Sequence, residues 1–228
     1  MRVSLVETRE AGGLLEKKLM ETRVLATFAD EEAVKQRLQA SELSKPLAAV
    51  EGVASGTALG EGLVTVAARL RAMGSAPRLV AGVLAQALSR PAAVWWACRA
   101  SRAEHGGGAL EADQAALEAA EAWLRNPEQW RAYAANEAAK SIGLAAPAGC
   151  AALAAFFAGE SIAPSHLPPL LPEPHLAGMA AAAAVELAAT RRVGPEGPDP
   201  WTPLLDIGFG IAAGADHWPQ VSATLATR

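Results

Sequence analysis

Residues 89–102, SRPAAVWWACRASR, carry the two features that decide the fold of this chain: helix-forming alanines and a pair of adjacent tryptophans. Ser89 comes shortly before Pro91, the order expected of a helix N-cap followed by a proline in the first turn. The alanines that follow favour a helix because an alanine side chain loses no rotamer freedom on folding. The stretch therefore predicts a helix in which Trp95 and Trp96 are the large packing side chains.

The same alanine-rich composition extends over the whole chain. Alanine accounts for 55 of the 228 residues, and apolar residues recur at helical spacing, as at Val80, Val83, Leu84 and Ala87. Because alanine buries little apolar area, helices rich in it pack closely and depend on larger side chains as anchors. We therefore predict an all-α protein, a compact multi-helix bundle of helical hairpins with a Pro-rich crossing segment.

Differences in charge and proline content divide the chain. Residues 1–60 are the most charged part and are predicted to be an N-terminal helical segment, followed by an Ala-rich helical domain over residues 61–228. Five prolines within residues 163–174 (APSHLPPLLPEP) predict an extended crossing segment, because proline interrupts helices. At Asn126-Pro127 we expect a tight restart between two helices, with Asn126 as the N-cap and Pro127 at the first helical position.

One stretch has the length of a membrane span. Residues 141–159 are uncharged, but they are mostly Ala and Gly and are interrupted by Pro147, so we expect a buried core helix.

The first ten residues, MRVSLVETRE, lack the apolar core of a secretory signal. Cys98 and Cys150 have no CxxC spacing, which favours buried reduced thiols, with a disulfide between them as the alternative. We therefore predict a soluble, cytoplasmic protein.

The sequence contains no motif with a catalytic or metal-binding mechanism. Residues 105–108 read HGGG, but the G-x-S-x-G motif that accompanies this string in lipase-like hydrolases is lacking. The four histidines have no metal-ligand spacing. The net charge of −4 argues against nucleic acid as a partner. We predict no catalytic residue, metal or cofactor. An enzyme stays an alternative, because catalytic side chains can converge from distant helices.

Trp95 and Trp96 lie about 100° apart on a helix and so face different directions. We expect one to enter the core and the other to lie at its boundary, where its indole N–H reaches a polar group; the sequence does not tell which is which. Arg99 follows them by four and three residues, which places its guanidinium beside at least one of the rings. Either both tryptophans anchor the bundle, or Trp95, Trp96, Arg99 and Arg102 form a hot spot for a partner protein.

The charges around the tryptophans fall into two blocks. Residues 62–103 contain six arginines with no lysine and no acid, and residues 104–128 contain six acids and one arginine. We expect the blocks to pair within the molecule if their helices are antiparallel. The alternative is a cationic stripe that binds a protein or another anionic partner, since arginine forms bidentate pairs and stacks on aromatic rings.

Several segments combine alanine, tryptophan, proline and glycine in a distinctive way: LAQALSRPAAVWWACRASR (84–102), LEAAEAWLRNP (117–127), PAGCAALAAFFAGESIAP (147–164), PPLLPEPHL (168–176) and LLDIGFGIAAGADHWP (204–219). Through them, roughly residues 78–219 resemble a bacterial family of Ala-rich helical proteins marked by an A-V-W-W-A segment. Members of that family have no assigned activity and sometimes occur beside type VI secretion genes. The resemblance implies a bacterial, cytoplasmic accessory role and transfers no catalytic residue.

We therefore expect a non-enzymatic adaptor that binds another protein, with a type VI secretion component as the partner that the resemblance implies. The alternative is a small-molecule-binding protein or an enzyme with a site between helices. An exposed apolar groove would favour the adaptor, whereas an enclosed pocket with converging polar groups would favour the alternative. The sequence makes no prediction of the oligomeric state.

Overall fold

The computed structural model describes residues 36–37, 43, 62–104, 111–192, 199–216 and 218. Over these residues the chain is all-α, as predicted, and forms a compact bundle without strands. The helices are α1 (Leu63–Ala72), α2 (Pro77–Ala87), α3 (Arg90–Glu104), α4 (Glu111–Arg125), α5 (Gln129–Ile142), α6 (Pro147–Ala158), α7 (Leu176–Arg191) and α8 (Trp201–Ala212). The predicted N-terminal helical segment lies almost wholly outside the described residues, as does the HGGG string, and the domain boundary near residue 61 stays a prediction.

The uncharged helix α6 lies at the centre of the bundle and packs against α3, α4, α5 and α7. Its sequence, PAGCAALAAFFA, is buried over most of its length, so the predicted core helix is confirmed for residues 147–158. The prediction is wrong for the start of residues 141–159, because α5 extends to Ile142 and Leu144 is 55% exposed. Small side chains let its neighbours approach closely. At Gly149, a Cβ atom would lie 2.2 Å from the carbonyl oxygen of Gly143. Among the described helices, none has both the length and the apolarity needed to cross a membrane.

Larger side chains anchor the helices around α6. Those that are fully buried include Leu70, Leu84, Trp96, Leu117, Leu204 and Ile211. Removing such a side chain from water contributes about 1.5–3 kcal/mol. Helix α8 packs on α3 and α2, and α1 packs on α2. The few large apolar residues of this Ala-rich sequence are thus placed where helices meet.

Two helix starts test the capping predictions. Ser89 caps α3 as predicted, since the Ala92 N–H donates to Ser89 Oγ at 3.4 Å. The prediction for Asn126-Pro127 is wrong, because α5 begins only at Gln129. Glu128 has an extended backbone (φ −94°, ψ 145°), so Pro127 precedes the helix and cannot be its first residue. The Glu128 N–H instead donates to the carbonyl of Asn126 at 2.8 Å, which closes a short connection.

Candidate functional site

Trp96 is the tryptophan that enters the core. Its side chain is fully buried, and its indole Nε1 donates to the carbonyl oxygen of Leu204 on α8 at 2.9 Å. The ring lies directly on Gly208, where a Cβ atom would stand 2.6 Å from Trp96 Cε2. Glycine at this position therefore lets α8 approach α3 closely enough for the hydrogen bond.

Trp95 lies at the boundary of the core, with 9% of its surface exposed. Its Nε1 donates to Asp216 Oδ1 at 3.2 Å, and Arg99 Nη1 lies 2.6 Å from Asp216 Oδ2. The Arg99 guanidinium is 5.5 Å from the centre of the Trp95 ring, within range of a cation–π interaction. The predicted division of the two tryptophans, and the position of Arg99 beside a ring, are therefore confirmed.

Arg102 makes a separate set of contacts with α4. Its Nε and Nη2 both lie 2.8 Å from Glu121 Oε1, and its Nη1 donates to Gln114 Oε1 at 3.1 Å. The hydrogen bond to Glu121 raises the pKa of Arg102, because it stabilises the charged guanidinium. Arg102 thus ties α3 to α4, whereas Arg99 ties α3 to the residues that follow α8.

The four residues proposed as a partner-binding hot spot do not form one surface. Trp96 is inside, Trp95 and Arg99 contact Asp216, and Arg102 contacts Glu121. The structure brings Trp95 and Arg99 together and leaves Arg102 in a different network. The indole N–H groups and the guanidinium groups of the four residues each have a partner within the molecule. A role for the four in binding a partner protein stays a prediction.

Arg71, Arg78, Arg99 and Arg102 of the arginine-rich block form ion pairs within the molecule, mostly with partners from more distant parts of the chain than expected. Arg102 pairs with Glu121 of the acidic block, as predicted. The other ion pairs described for this block join it to later parts of the chain: Arg71–Asp206 (2.7 Å), Arg78–Glu186 (3.1 Å) and Arg99–Asp216. These pairs join α1 to α8, α2 to α7, and α3 to the residues that follow α8.

Both cysteines are free and buried, as predicted for reduced thiols. Burial raises the pKa of the Cys98 thiol, and the nearby Glu121 carboxylate raises it further. Burial also raises the pKa of Cys150, whose thiol donates to the carbonyl of Leu144 at 3.3 Å. Since the thiolate is the reactive form, neither cysteine has the character of a nucleophile. Over the described ranges, no three or more His, Cys, Asp and Glu side chains converge as a metal site would require.

The Pro-rich segment, residues 163–174, joins α6 to α7 without helix, as the prolines predict. Its start is held by the first turns of α5. Gln129 Oε1 accepts hydrogen bonds from the N–H groups of Glu160 (2.7 Å) and Ser161 (3.0 Å), and Gln129 Nε2 donates to the Ser161 carbonyl at 2.7 Å. Tyr133 donates its hydroxyl to the carbonyl of Ala163 at 2.8 Å. Two side chains of α5 therefore fix the path of the backbone leaving α6.

A second set of hydrogen bonds closes the Pro-rich segment on itself. Ser161, which is buried, accepts hydrogen bonds at its Oγ from the N–H groups of Ala163 and Leu170, both at 3.1 Å. The Ile162 N–H donates to the carbonyl of Leu170 at 2.8 Å. Pro172 is buried and anchors the far end. The segment is thus an ordered loop whose polar backbone groups are bonded at its base.

This ordered loop exposes three leucines, which we call the leucine surface: Leu167 (51%), Leu170 (59%) and Leu171 (74%). Residues 164–171 are all exposed. Trp130, which directly follows Gln129 on α5, is also exposed and has the Arg131 guanidinium 4.2 Å from its ring centre. Sequence reasoning identified the prolines but not these leucines; the string LPPLLP was the available signal.

A groove of about 450 Å³ lies between α2 and α7. Its walls are largely small or apolar and include Leu79, Gly82, Met179, Ala182 and Trp201. The Arg78–Glu186 ion pair, between residues of its lining, joins the two helices. We call this the α2–α7 groove. Sequence reasoning missed it, because its two walls are about a hundred residues apart in the chain.

Gln86 is a polar side chain of this groove and is buried. Its Nε2 donates to the carbonyl of His175 at 3.2 Å, at the N-terminus of α7. The carboxamide lies on Gly178, where a Cβ atom would stand 2.7 Å from Gln86 Oε1. Gln86 therefore links the two walls of the groove and depends on a glycine to fit.

A family model matches residues 66–212, more than half of the chain; it describes a family of unknown function, DUF6931. The chain belongs to the DUF6931 family. The matched residues contain Trp95, Trp96, the Pro-rich segment and both helices of the α2–α7 groove. Asp216 lies outside the DUF6931 match, as do residues 36–37 and 43. Neither a curated protein nor a solved structure matches the chain.

Proposed function

We propose that this protein is a non-enzymatic helical adaptor that binds another protein through the leucine surface. The observation that carries this proposal is the exposure of Leu167, Leu170 and Leu171 on a backbone that hydrogen bonds hold in place. Burial of one leucine side chain contributes about 1.5–3 kcal/mol. Three leucines of this ordered loop stay exposed and therefore do not contribute this burial energy. Such exposure is typical of an interaction site and not of a packing element.

The aromatic and charged residues near the base of the loop support the same function. Trp130 is 57% exposed, and Arg131 lies over its ring. Tryptophan and arginine are the residue types most enriched among the side chains that dominate binding energy at protein interfaces. The neighbouring Gln129 holds residues 160–161, so this end of α5 is directly joined to the loop that carries the leucines.

The partner is proposed from the resemblance. Because members of the resembling bacterial family sometimes occur beside type VI secretion genes, we propose a cytoplasmic role with a component of that secretion system as the bound protein. Family membership by itself names no activity, since DUF6931 is a family of unknown function. The adaptor proposal therefore depends on the leucine surface for the mode of binding and on the resemblance for the choice of partner.

The lining of the α2–α7 groove supports the adaptor over a small-molecule site. Of its polar lining residues, Arg78 and Glu186 pair with each other, and Gln86 bonds across to α7 through its Nε2, which leaves Gln86 Oε1 as the one buried polar atom described in this lining without a hydrogen-bond partner. The rest of the lining consists of apolar side chains and glycine. Small-molecule sites need several polar groups aimed at one point, and this lining is better suited to aliphatic side chains.

An affinity pull-down from the native organism, read by mass spectrometry, tests the adaptor. The bait is the full chain, compared with a variant carrying Leu167→Ser, Leu170→Ser and Leu171→Ser. The matched control carries Met73→Ser and Leu144→Ser, which change exposed apolar side chains elsewhere (52% and 55% exposed). We expect a partner that the unmodified and control baits recover and the triple variant loses. Equal recovery by all three baits would reject the leucine surface as the binding site.

A further inference from the structure

The leucine surface lies on a backbone whose course is set by prolines. In Pro168, Pro169 and Pro172 the ring fixes φ at about −65°, and a residue that precedes a proline is restricted to extended conformations. Residues 168–173 accordingly run without helix or turn. An extended polyproline conformation has about three residues per turn, so side chains three positions apart lie along one edge.

This repeat turns two of the three edges of the segment toward solvent. It places Leu167 and Leu170 along one edge and Pro168 and Leu171 along the next, and all four side chains are exposed. The third edge ends at Pro172, which is buried and attaches the segment to the protein. The leucine surface is therefore a double ridge of leucine and proline side chains.

The backbone of this ridge offers a partner few hydrogen-bond donors. Within residues 168–172 only Leu170 and Leu171 have a backbone N–H, because the other three residues are prolines. The Leu170 N–H already donates to Ser161 Oγ at 3.1 Å, and the Leu170 carbonyl accepts from the Ile162 N–H at 2.8 Å. A partner strand needs alternating N–H and C=O groups, so it cannot pair along this segment. A partner has to bind the exposed side chains and the remaining carbonyl oxygens.

The charged side chains along this part of the chain are negative. Residues 141–175 contain two acids, Glu160 and Glu173, and no Lys or Arg. Glu173 directly follows Pro172 and is exposed. A protein that covers the ridge therefore meets a carboxylate at the C-terminal end of the ridge, and a Lys or Arg side chain is the complementary group.

We propose that the leucine surface is the ligand of a polyproline-binding groove on the partner protein. This groove is lined by aromatic side chains and carries a Lys or Arg at the end that meets Glu173. Aromatic rings pack against ridges of proline and leucine, and Trp N–H and Tyr O–H groups donate to the carbonyls that the ridge leaves exposed. The inference rests on the proposed function and specifies the chemistry of its partner.

Proline substitutions separate this inference from the proposed function in the pull-down. A bait with Pro168→Ala and Pro169→Ala keeps the three leucines but frees two φ angles, and it should recover at least about tenfold less partner than the unmodified chain. Pro164→Ala, at an exposed proline before the ridge, is the matched control and should recover the partner fully. Melting curves check that the baits fold alike.

The outcomes of this pull-down are distinct. If the proline variant recovers a protein that the leucine triple variant loses, this inference is overturned and the proposed function stands. If the leucine triple variant loses no protein, the proposed function fails and this inference fails with it.

Peptide competition tests the conformation without altering the fold. A synthetic peptide of residues 164–174 is added to the complex of the full chain with the recovered partner, beside a second peptide that carries Pro168→Ala and Pro169→Ala. Because both peptides contain the same leucines, we expect the first to release the partner at a concentration at least about tenfold lower. Release at equal concentrations, or by neither peptide, would contradict recognition of a polyproline ridge.

Two further measurements address the partner's side of the contact. A third peptide, with Glu173→Gln, should need a higher concentration than the first at low salt, and equal concentrations would reject the Lys or Arg in the groove. Photo-leucine, a diazirine analogue of leucine, is incorporated into the full chain and crosslinked to the partner. Mass spectrometry should join residues 167–171 to a partner segment that contains Trp or Tyr. A crosslink to a segment without an aromatic residue would overturn the groove.

Discussion

The contact between α3 and α8 and the Pro-rich segment use large apolar side chains in opposite ways. At the first, Trp96 is fully buried and its polar N–H is bonded to Leu204. At the second, Leu171 is 74% exposed, while the N–H of the adjacent Leu170 donates to Ser161 Oγ and the side chains of α5 bond the start of the segment. In the first region buried side chains stabilise the fold, whereas in the second the folded backbone keeps apolar side chains exposed to solvent. Stability and binding should therefore respond to different substitutions.

The largest effect is expected at Trp96. Trp96→Ala removes a fully buried ring and a bonded indole, and should lower the free energy of unfolding by about 3–5 kcal/mol. Trp95→Ala is the comparison, and it should cost clearly less because Trp95 lies at the boundary. Urea melts followed by far-UV circular dichroism measure both. Equal, small losses would show that neither ring belongs to the core.

The next effect concerns the space beneath the same ring. Gly208→Ala places a methyl group 2.6 Å from Trp96 Cε2, and overpacking of this kind should cost about 1–3 kcal/mol. Gly210→Ala, two residues on in the same helix, meets nothing within 4 Å. It should be neutral or stabilise by up to about 1 kcal/mol, because alanine favours a helix. Thermal melts that rank the two variants in the reverse order would contradict the close packing of α8 on Trp96.

A smaller effect is expected at the rim of the same contact. Asp216→Asn keeps an acceptor for Trp95 and removes the ion pair with Arg99, so the loss should be less than about 1 kcal/mol for a partly exposed pair. Added salt should lower the free energy of unfolding of the unmodified protein more than that of the variant, since salt screens the ion pair. Asp206→Asn, which breaks the more exposed pair with Arg71, is the control and should cost no more. A loss of several kcal/mol from Asp216→Asn would mean that this pair is a buried element of the core.

The smallest effect is expected at the leucine surface. Replacing Leu167, Leu170 and Leu171 singly with Ser should change the free energy of unfolding by no more than about 0.5 kcal/mol each, as at other exposed positions. Leu144→Ser, at an exposed position outside the loop, is the reference. Melting curves measured beside those of Trp96→Ala would show the contrast directly. A loss above about 2 kcal/mol at any of the three leucines would assign it to the core and weaken the adaptor proposal.

Local patterns predicted the helices well, because helix formation depends on neighbours in sequence. The cap at Ser89, the buried helix α6 and the extended Pro-rich segment all follow from residue types a few positions apart. The inward direction of Trp96 could not be predicted, since it depends on a carbonyl 108 residues away. For the same reason, the pairing of Arg99 with Asp216 was out of reach. At Asn126-Pro127 the prediction failed locally, because an extended Glu128 intervenes before the helix.

The candidate sites were less accessible to sequence reasoning than the fold. The hot-spot hypothesis selected tryptophans and arginines by residue type, and these proved to be bonded to Asp216 or to other helices. The α2–α7 groove forms where α2 packs on α7, a helix about a hundred positions later in the chain. The loop that exposes the leucines is closed by the bonds of Leu170 with Ser161 and Ile162, and composition alone does not predict these bonds.

The bonds that Gln129 makes to residues 160 and 161 have an entropic consequence for any protein that binds the loop. Fixing one residue of a flexible backbone costs about 1–2 kcal/mol in conformational entropy, and a disordered segment meets that cost at the moment of binding. Here the loop is already ordered when the chain folds. A protein that binds this loop would therefore meet a surface that is already preorganised on this side, which lowers the conformational entropy cost of association.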